Sequence, residues 1–280
     1  MNSATQLKAL IRNISKDKKV NAQILLRNYM LERLLERISI SQYKHNFILK
    51  GGMLIAAMVG IDTRSTMDMD ATIKGVPVSK ENIKIMFDEI LAVNVNDNVD
   101  FTINSIDDIR DEADYTGFRV SLNTIFDGIK QTLKIDITTG DTITPREIVY
   151  KFNLMLENRT IEVMAYNLET VLAEKLETII SRGTTNTRMR DFYDVYILTK
   201  LQADNINQKL LDEALNRTAI NRGTDPLLDN KGLIVSEIIT SSIMQDLWIR
   251  YQKKYDYADD ISWGDVMGAV QATLNISDRR

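Results

Sequence analysis

Two adjoining stretches decide the fold: residues 47–60, FILKGGMLIAAMVG, and residues 63–75, TRSTMDMDATIKG. The first predicts a short strand over 47–49, a turn at two glycines and a helix from about Met53 to Val59, because an apolar run is opened by residues that permit a tight turn. The second alternates apolar and polar residues over 67–73 and predicts another strand. Together they indicate a domain that combines a sheet with helices.

Asp68 and Asp70 are the most informative polar residues of this region. Residues two apart in a strand point to the same face, so both carboxylates would project together while Met67, Met69 and Ala71 turn inward. Two like charges this close are unfavourable unless water or a shared cation compensates them. Mg²⁺ takes one or two carboxylates together with substrate phosphates. The pair therefore predicts a magnesium site, with the polar outer face of an edge strand as the alternative.

Four further residues near the acid pair are candidates for nucleotide binding. Gly51 and Gly52 lie between a predicted strand and a predicted helix, where backbone N–H groups can approach a phosphate. Arg64 and Thr66 stand just before the acid pair and are placed to contact phosphate or ribose. The alternatives are tight packing for the glycines and a solvated loop for the other two.

A third carboxylate, Asp136, occurs in a later predicted strand over residues 132–138. Lys134 and Thr138 share its face, and the intervening apolar residues face the other way. If this strand neighbours the first acidic one, three carboxylates lie beside a glycine turn. That arrangement suits two-metal phosphoryl transfer.

The remaining patterns divide the chain into an α+β domain over residues 1–166 and a helical domain over residues 167–280. The first 45 residues carry two apolar helical stripes, and a helix is predicted over Lys80 to Ala92. Further strands are predicted at 100–106, 117–124 and 160–166. Asn167, a residue type favoured at helix N-caps, marks the boundary.

The helical domain holds a second group of candidate residues. Lys175 falls on the apolar stripe of the helix predicted after Asn167, so it must snorkel, pair with a carboxylate or face a cleft. Asp191 and Asp194 are three residues apart in an apolar segment and share one side of the next helix. Charges in such a segment need partners. A structural salt bridge and a functional site both explain the group.

A basic loop and an aromatic tail are candidate nucleic-acid contacts. Arg182, Arg188 and Arg190 flank the GTTNT sequence and are suited to a triphosphate or an RNA backbone. The tail combines tyrosine and tryptophan with lysine, a mixture that can stack bases but more commonly packs helices. These aromatic residues are Trp248, Tyr251, Tyr255, Tyr257 and Trp263.

Composition removes several classes of chemistry. The 280 residues contain no cysteine and one histidine, so disulfides, thiol nucleophiles and His-rich or thiolate zinc sites are excluded. A net charge of -4 disfavours a generally basic nucleic-acid coat. The longest apolar run, residues 52–61, is shorter than the roughly 20 residues that a membrane helix needs, and the N-terminal residues lack the apolar core of a signal peptide. We therefore expect a soluble, cytoplasmic protein without a membrane partner.

In this order the motifs resemble the AbiEii/AbiGii toxin family of nucleotidyltransferases, within the DNA polymerase β-like superfamily. The resemblance covers roughly residues 45–200, and the complete ordered set is more specific than any one motif. The motifs that carry it are LKGG, TRSTMDMDATIKG, KIDITTGD, LAEKLETIISR and RDFYDVY.

The resemblance implies a mixed sheet with flanking helices, followed by a helical half that completes the active site. Gly51 and Gly52 resemble the phosphate-binding turn, and Asp68 and Asp70 the Mg²⁺ ligands. Asp136 matches the third acidic position of the superfamily, as a metal ligand or a base. Lys175 and Asp191 resemble the essential lysine and aspartate of the later motifs, the lysine offsetting charge on the phosphates. Many nucleotidyltransferases have Ser or Thr directly after the glycines, whereas this chain has Met53.

The implied activity is transfer of a nucleotide from an NTP to tRNA acceptor ends by a toxin of a bacterial toxin–antitoxin or phage-defence system. Such transfer blocks translation, and a cognate antitoxin would be encoded nearby, with or without direct contact. Two alternatives remain from the residues: transfer to a protein hydroxyl, and a non-catalytic regulator that binds nucleotide or RNA.

Overall fold

The computed structural model describes residues 1, 3–110 and 116–276, which form two compact units. The first unit comprises Met1–Asp141 and Glu147–Tyr166, and the second comprises Thr142–Arg146 and Asn167–Arg280. The short segment 142–146 thus belongs with the helices although it precedes the last two strands in the chain.

A seven-stranded mixed sheet forms the first unit. Its strands are β1 (Phe47–Lys50), β2 (Met69–Ile73), β3 (Asp100–Arg110), β4 (Thr116–Phe126), β5 (Ile129–Thr138), β6 (Ile148–Asn153) and β7 (Thr160–Ala165). Their order across the sheet is β3-β4-β5-β2-β1-β7-β6. The pairs β2–β5 and β1–β7 are parallel, and the other four pairs are antiparallel.

In the part of this unit that the structure describes, four α-helices accompany the sheet: α1 (Ala4–Lys18), α2 (Ala22–Ile40), α3 (Gly51–Val59) and α4 (Lys80–Leu91). Helix α2 packs against β5 and β7, α3 against β1 and β2, and α4 against β3. Along β5 the burial alternates as predicted, with Leu133, Ile135 and Ile137 fully buried and Lys134 exposed.

Within the described residues, the second unit contains six α-helices: α5 (Leu168–Arg182), α6 (Met189–Gln202), α7 (Gln208–Arg222), α8 (Lys231–Thr240), α9 (Ser242–Lys254) and α10 (Trp263–Thr273). Asn167 is the N-cap of α5, since its side chain accepts a hydrogen bond from the Thr170 N–H at 2.8 Å. Helix α5 packs on α6 and α7, and α6 packs on α10. The predicted α+β class, with a mixed sheet and a helical second half, is confirmed.

Several predicted boundaries are wrong in detail. Strand β2 begins at Met69, so Met67 and Asp68 both lie outside it: Asp68 is not in the strand that holds Asp70, and the Met67 side chain is exposed instead of facing inward. Helix α3 begins at Gly51, two residues earlier than predicted, because the glycine pair forms its first turn. The prediction did not include strand β6, because five of its six side chains are exposed or half-exposed and show no sustained apolar alternation.

No helix within the described residues is long and apolar enough to cross a membrane.

Candidate active site

Four charged residues lie side by side across one face of the sheet. Strand register pairs Lys50 of β1 with Asp70 of β2, Asp70 with Asp136 of β5, and Asp136 with Arg119 of β4. Directly paired residues project to the same face, so two carboxylates are flanked by one cation at each end. The predicted neighbourhood of Asp70 and Asp136 is present in the first unit.

Asp68 lies directly before the first residue of β2 and belongs to the same acidic group. Burial raises the pKa of its carboxyl, and the charges of Asp70 and Asp136 raise it further, against the opposing effect of Arg27 and Lys134. Strand β2 lies between β5 and β1, so the edge-strand alternative for the acid pair does not hold. Three carboxylates act electrostatically on one another at the centre of the sheet.

The two glycines let the start of α3 approach the acid pair. Gly51 has a φ of +64°, and a Cβ there would overlap the carboxylate of Asp70. A Cβ on Gly52 would stand 2.8 Å from Thr66 Oγ1, and the Gly52 N–H donates to Asp70 Oδ2 at 3.3 Å. Close packing thus requires both glycines. Met53 follows them with its side chain buried, so no hydroxyl is presented at that position.

Arg64 and Thr66 are buried, which excludes the solvated-loop alternative. The Arg64 guanidinium donates to the Ser65 carbonyl at 2.5 Å, and Asn28 Nδ2 donates to the Thr66 carbonyl at 2.7 Å. Thr66 Oγ1 also donates to the Asp68 carbonyl at 3.2 Å. The loop that leads into the acid pair is therefore fixed by hydrogen bonds to Asn28 and within itself, and it packs against Gly52.

Arg119, which the sequence analysis missed, holds Asp136 in a forked ion pair. Its Nε donates to Asp136 Oδ1 at 2.7 Å and its Nη2 to Oδ2 at 2.6 Å. The turn that joins β4 and β5, Asp127-Gly128, is a two-residue hairpin turn with positive φ at both residues. Counting back from that turn pairs position 119 with position 136, which is the signal that could have identified the arginine.

A second buried network lies beside the glycine turn, around Asp141. Its carboxylate accepts hydrogen bonds from Lys50 Nζ at 2.7 Å and from the hydroxyls of Thr72 and Thr138. Burial alone would raise the pKa of Asp141, but the Lys50 ammonium and these hydrogen bonds outweigh it and hold the pKa below its ordinary value. Thr72 Oγ1 also lies 3.0 Å from the Tyr166 hydroxyl. The two threonine hydroxyls hold the Asp141 carboxylate in place, and that carboxylate holds the Lys50 ammonium directly before the glycines.

The acid pair fits a magnesium ion by the chemistry of its donors. Asp68 and Asp70 offer two carboxylates, the number that Mg²⁺ takes when substrate phosphates and water complete its shell. Throughout the described residues, no group of three or more His, Asp or Glu side chains is arranged to hold a metal ion. Both oxygens of Asp136 are bonded to Arg119, so a third ligand from β5 stays a prediction.

In the second unit, Lys175 is the centre of a buried ion-pair cluster. Its Nζ lies 2.6 Å from Asp191 Oδ1 and 3.4 Å from Asp194 Oδ2, and both carboxylates are buried. Arg188 Nε stands 3.2 Å from the other oxygen of Asp191. The charges on the apolar stripe are thus mutually paired, as one of the two sequence interpretations expected.

The other predicted RNA contacts have structural roles as well. Arg182 ends α5 and Arg188 is half-exposed, while Arg190 donates to the Tyr255 hydroxyl at 2.9 Å. Trp248 and Tyr251 are buried, so these two tail residues pack helices. Burial would raise the pKa of Tyr255, but the charge and hydrogen bond of Arg190, with Lys254, lower it.

A family model described as "Nucleotidyl transferase AbiEii toxin, Type IV TA system" matches residues 33–269. No curated protein sequence gives a significant match. Solved structures share the fold. MenT4, a nucleotidyltransferase toxin from Mycobacterium tuberculosis H37Rv, has a TM-score of 0.57 and 14% identity, covering 96% of this chain and 98% of its own.

Two Helicobacter pylori structures are also similar. One, described as a candidate nucleotidyltransferase, has a TM-score of 0.52 and 15% identity, covering 91% of this chain and 96% of its own. The other, JHP933, has a TM-score of 0.51 and 16% identity, covering 91% of this chain and 94% of its own. At these identities the likeness shows the fold.

Proposed function

The chain belongs to the AbiEii family of nucleotidyltransferase toxins of type IV toxin–antitoxin systems, and from this premise we propose that it uses Mg²⁺ to transfer a nucleotide from an NTP to tRNA acceptor ends. Such a modification would block translation and growth, in the manner of a phage-defence toxin, in the cytoplasm. Family membership implies a cognate antitoxin, and we expect its gene to lie nearby, with or without a direct contact between the two proteins.

The observation that carries this proposal is the row of charges on the sheet. Asp68 and Asp70 bring two carboxylates to the end of a glycine turn, and Asp136 stands next to Asp70 on the neighbouring strand. Burial raises the pKa of Asp68, and the neighbouring charges of Asp70 and Asp136 raise it further, a cost that a bound cation would relieve. A group arranged at such a cost is expected at a reactive site.

In the proposed reaction a 3′-hydroxyl attacks the α-phosphate of the NTP, a new P–O bond forms and pyrophosphate leaves. Bound Mg²⁺ would supply charge neutralisation on the triphosphate. Asp68 and Asp70 would hold it. Asp136 would accept the proton of the attacking hydroxyl or hold a second ion.

The glycine turn and the loop that packs against it would bind the nucleotide. Backbone N–H groups at Gly51 and Gly52 would bind the phosphates at the start of α3, with the Gly52 N–H giving up its 3.3 Å contact with Asp70 Oδ2 to do so, and the buried Arg64 and Thr66 would fix that turn. Met53 offers no hydroxyl there, so we expect phosphate binding to depend on backbone groups.

The second unit would contribute through Lys175. Its ammonium would offset negative charge that develops on the phosphates, while Asp191 and Asp194 hold the side chain in place. Arg182, Arg188 and Arg190 are the candidate contacts for RNA phosphate. The family match spans residues from both units, which supports a role for both.

The experiment is incubation of the purified protein with total tRNA, Mg²⁺ and each of the four α-labelled NTPs in turn. We expect label in tRNA with the wild type and none with Asp68→Ala or Lys175→Ala. Asp88→Ala is the matched control, because Asp88 is an exposed residue of α4. Equal labelling by wild type and Asp68→Ala would contradict the proposal.

The two alternatives give different outcomes in the same reaction. Label that moves with protein instead of RNA would identify a protein hydroxyl as the acceptor. A regulator that only binds nucleotide or RNA would release no pyrophosphate under any condition. The acid pair, Lys175 and Asp191 favour the enzyme, since a regulator needs no grouped carboxylates.

A further inference from the structure

Arg119 engages Asp136, the carboxylate of the acidic face that the proposed reaction would use as a base or as a ligand of a second ion. Its Nε and Nη2 each donate to a different oxygen of Asp136, at 2.7 Å and 2.6 Å. This planar fork is the strongest common geometry between a guanidinium and a carboxylate. With both oxygens engaged, Asp136 has little capacity left for a metal ion.

The position of Arg119 is set by strand register. The hairpin of β4 and β5 places residue 119 directly opposite residue 136, and β5 in turn pairs with β2 at Asp70. Three carboxylates interact with the guanidinium. Asp136 does so through hydrogen bonds and charge, and Asp68 and Asp70 do so through charge alone. The arginine is therefore the cation that balances the grouped acids from the β4 side.

Arg119 also has room to move. About 43% of its side chain is exposed, compared with 24% for Asp136. A long side chain at the surface of a sheet can leave its partner by rotating about its own bonds, with no change in the backbone. The ion pair is thus exchangeable, in contrast to the buried pair of Lys50 and Asp141, whose side chains are each 11% exposed.

We propose that Arg119 and a divalent cation compete for Asp136, so that Arg119 is a positioning residue that sets the metal affinity of the site. This inference rests on the proposed function. In the metal-free protein Arg119 holds Asp136 and stabilises the acidic face. When the metal is bound the guanidinium gives up at least one of its two hydrogen bonds, and Asp136 becomes a ligand.

The test measures the affinity of the full-length protein for Mn²⁺, which prefers the same oxygen ligands as Mg²⁺. We expect Arg119→Gln to bind Mn²⁺ roughly tenfold more tightly than wild type, a normal size for coupling between two competing groups. Arg119→Lys should fall between them, because an ammonium cannot form the planar fork. Unfolding temperature without metal gives a second readout, and it should fall in Arg119→Gln.

Lys134→Gln is the matched control for loss of positive charge. Lys134 lies two residues from Asp136 on the same face of β5, and its charge acts on Asp68 at longer range. Removing this charge should tighten Mn²⁺ binding less than removing Arg119. Equal tightening in the two variants would overturn the competition, because the effect would then be one of net charge.

A variant that combines Arg119→Gln with Asp136→Asn tests whether Arg119 affects the metal affinity through Asp136. In an Asp136→Asn background, Arg119→Gln should change the Mn²⁺ affinity by less than about twofold, since the shared ligand is gone. An unchanged tenfold effect in that background would overturn the inference. If neither wild type nor Arg119→Gln binds Mn²⁺, the metal-dependent proposed function fails with it, whereas binding that is indifferent to Arg119 removes only the competition.

Discussion

Asp70 and Asp136 are paired residues of the parallel strands β2 and β5, and their carboxylates stand next to each other on one face of the sheet. Parallel pairing of these strands joins two stretches that are 66 positions apart in the sequence. Asp68 completes the acidic group: burial raises the pKa of its carboxyl, and the charges of Asp70 and Asp136 raise it further.

Substitution of Gly51 by alanine should destabilise the first unit strongly. The residue has a φ of +64°, and a Cβ would overlap the Asp70 carboxylate. We expect Gly51→Ala to lower the free energy of unfolding by at least about 3 kcal/mol, from backbone strain and steric overlap together. Urea denaturation measures this loss.

Gly223 is a matched control for the cost of placing a residue with a Cβ at positive φ. Its φ is +65°, and a Cβ there would meet nothing within 4 Å. Gly223→Ala should therefore cost only the conformational strain, about 1 to 2 kcal/mol. Equal losses in the two variants would show that the close approach to Asp70 is not what requires glycine at position 51.

Loss of the Lys175 charge should leave two buried carboxylates without their shared cation. We expect Lys175→Met to lower the free energy of unfolding by about 3 kcal/mol, as for other buried ion pairs broken on one side. Lys84→Met, which breaks an exposed pair with Asp88, should cost less than about 1 kcal/mol. Similar losses of unfolding free energy in Lys175→Met and Lys84→Met would show that the Lys175 ion pairs are not buried. Transfer assays of Lys175→Met should therefore be run below its unfolding transition.

Glu32 predicts a specific pH dependence of stability. Burial raises its pKa to about 8, although the Met155 N–H donates to its carboxylate and opposes the shift. The folded protein therefore keeps a proton that the unfolded chain releases near pH 4.5. The stability gained from this proton is complete below the unfolded pKa and is lost as the pH rises to about 8.

Urea denaturation of the wild type and of Glu32→Gln at intervals between about pH 5 and pH 9 tests that dependence. The amide cannot ionise, so the stability of the wild type relative to Glu32→Gln should decline steadily with increasing pH. A constant difference across this range would show that Glu32 is ionised in the folded state throughout.

Local patterns were sufficient for much of the site. The glycine turn, the two-residue spacing of Asp68 and Asp70 and the alternation around Asp136 are each visible within a few residues, because strand and helix periods act locally. The rule that charges on an apolar stripe require partners also gave a salt bridge of Lys175 with the nearby aspartates as one of the interpretations, and the structure has that pairing.

What the sequence did not provide was the pairing between distant segments. Arg119 occupies an ordinary polar position of an alternating strand, and only the register of its hairpin places it against Asp136. Asp141 was visible in the KIDITTGD motif, but its bond to Lys50 depends on three strands lying together. The burial of Arg64 and Thr66 likewise depends on contacts with the distant glycine turn, whereas their polarity alone favoured a solvated loop.

The most direct measurement of the central claim is Mg²⁺-dependent release of pyrophosphate from NTP by Asp70→Asn, compared with wild type and Asp88→Asn, in the presence of tRNA. Asn keeps the shape of Asp70 but not its charge, so the acid pair can no longer hold the cation. We predict that wild type and Asp88→Asn release pyrophosphate at similar rates and that Asp70→Asn is at least about 100-fold slower, the scale of losing one essential electrostatic group. Full activity in a folded Asp70→Asn protein would contradict the assignment of this face of the sheet as the catalytic site.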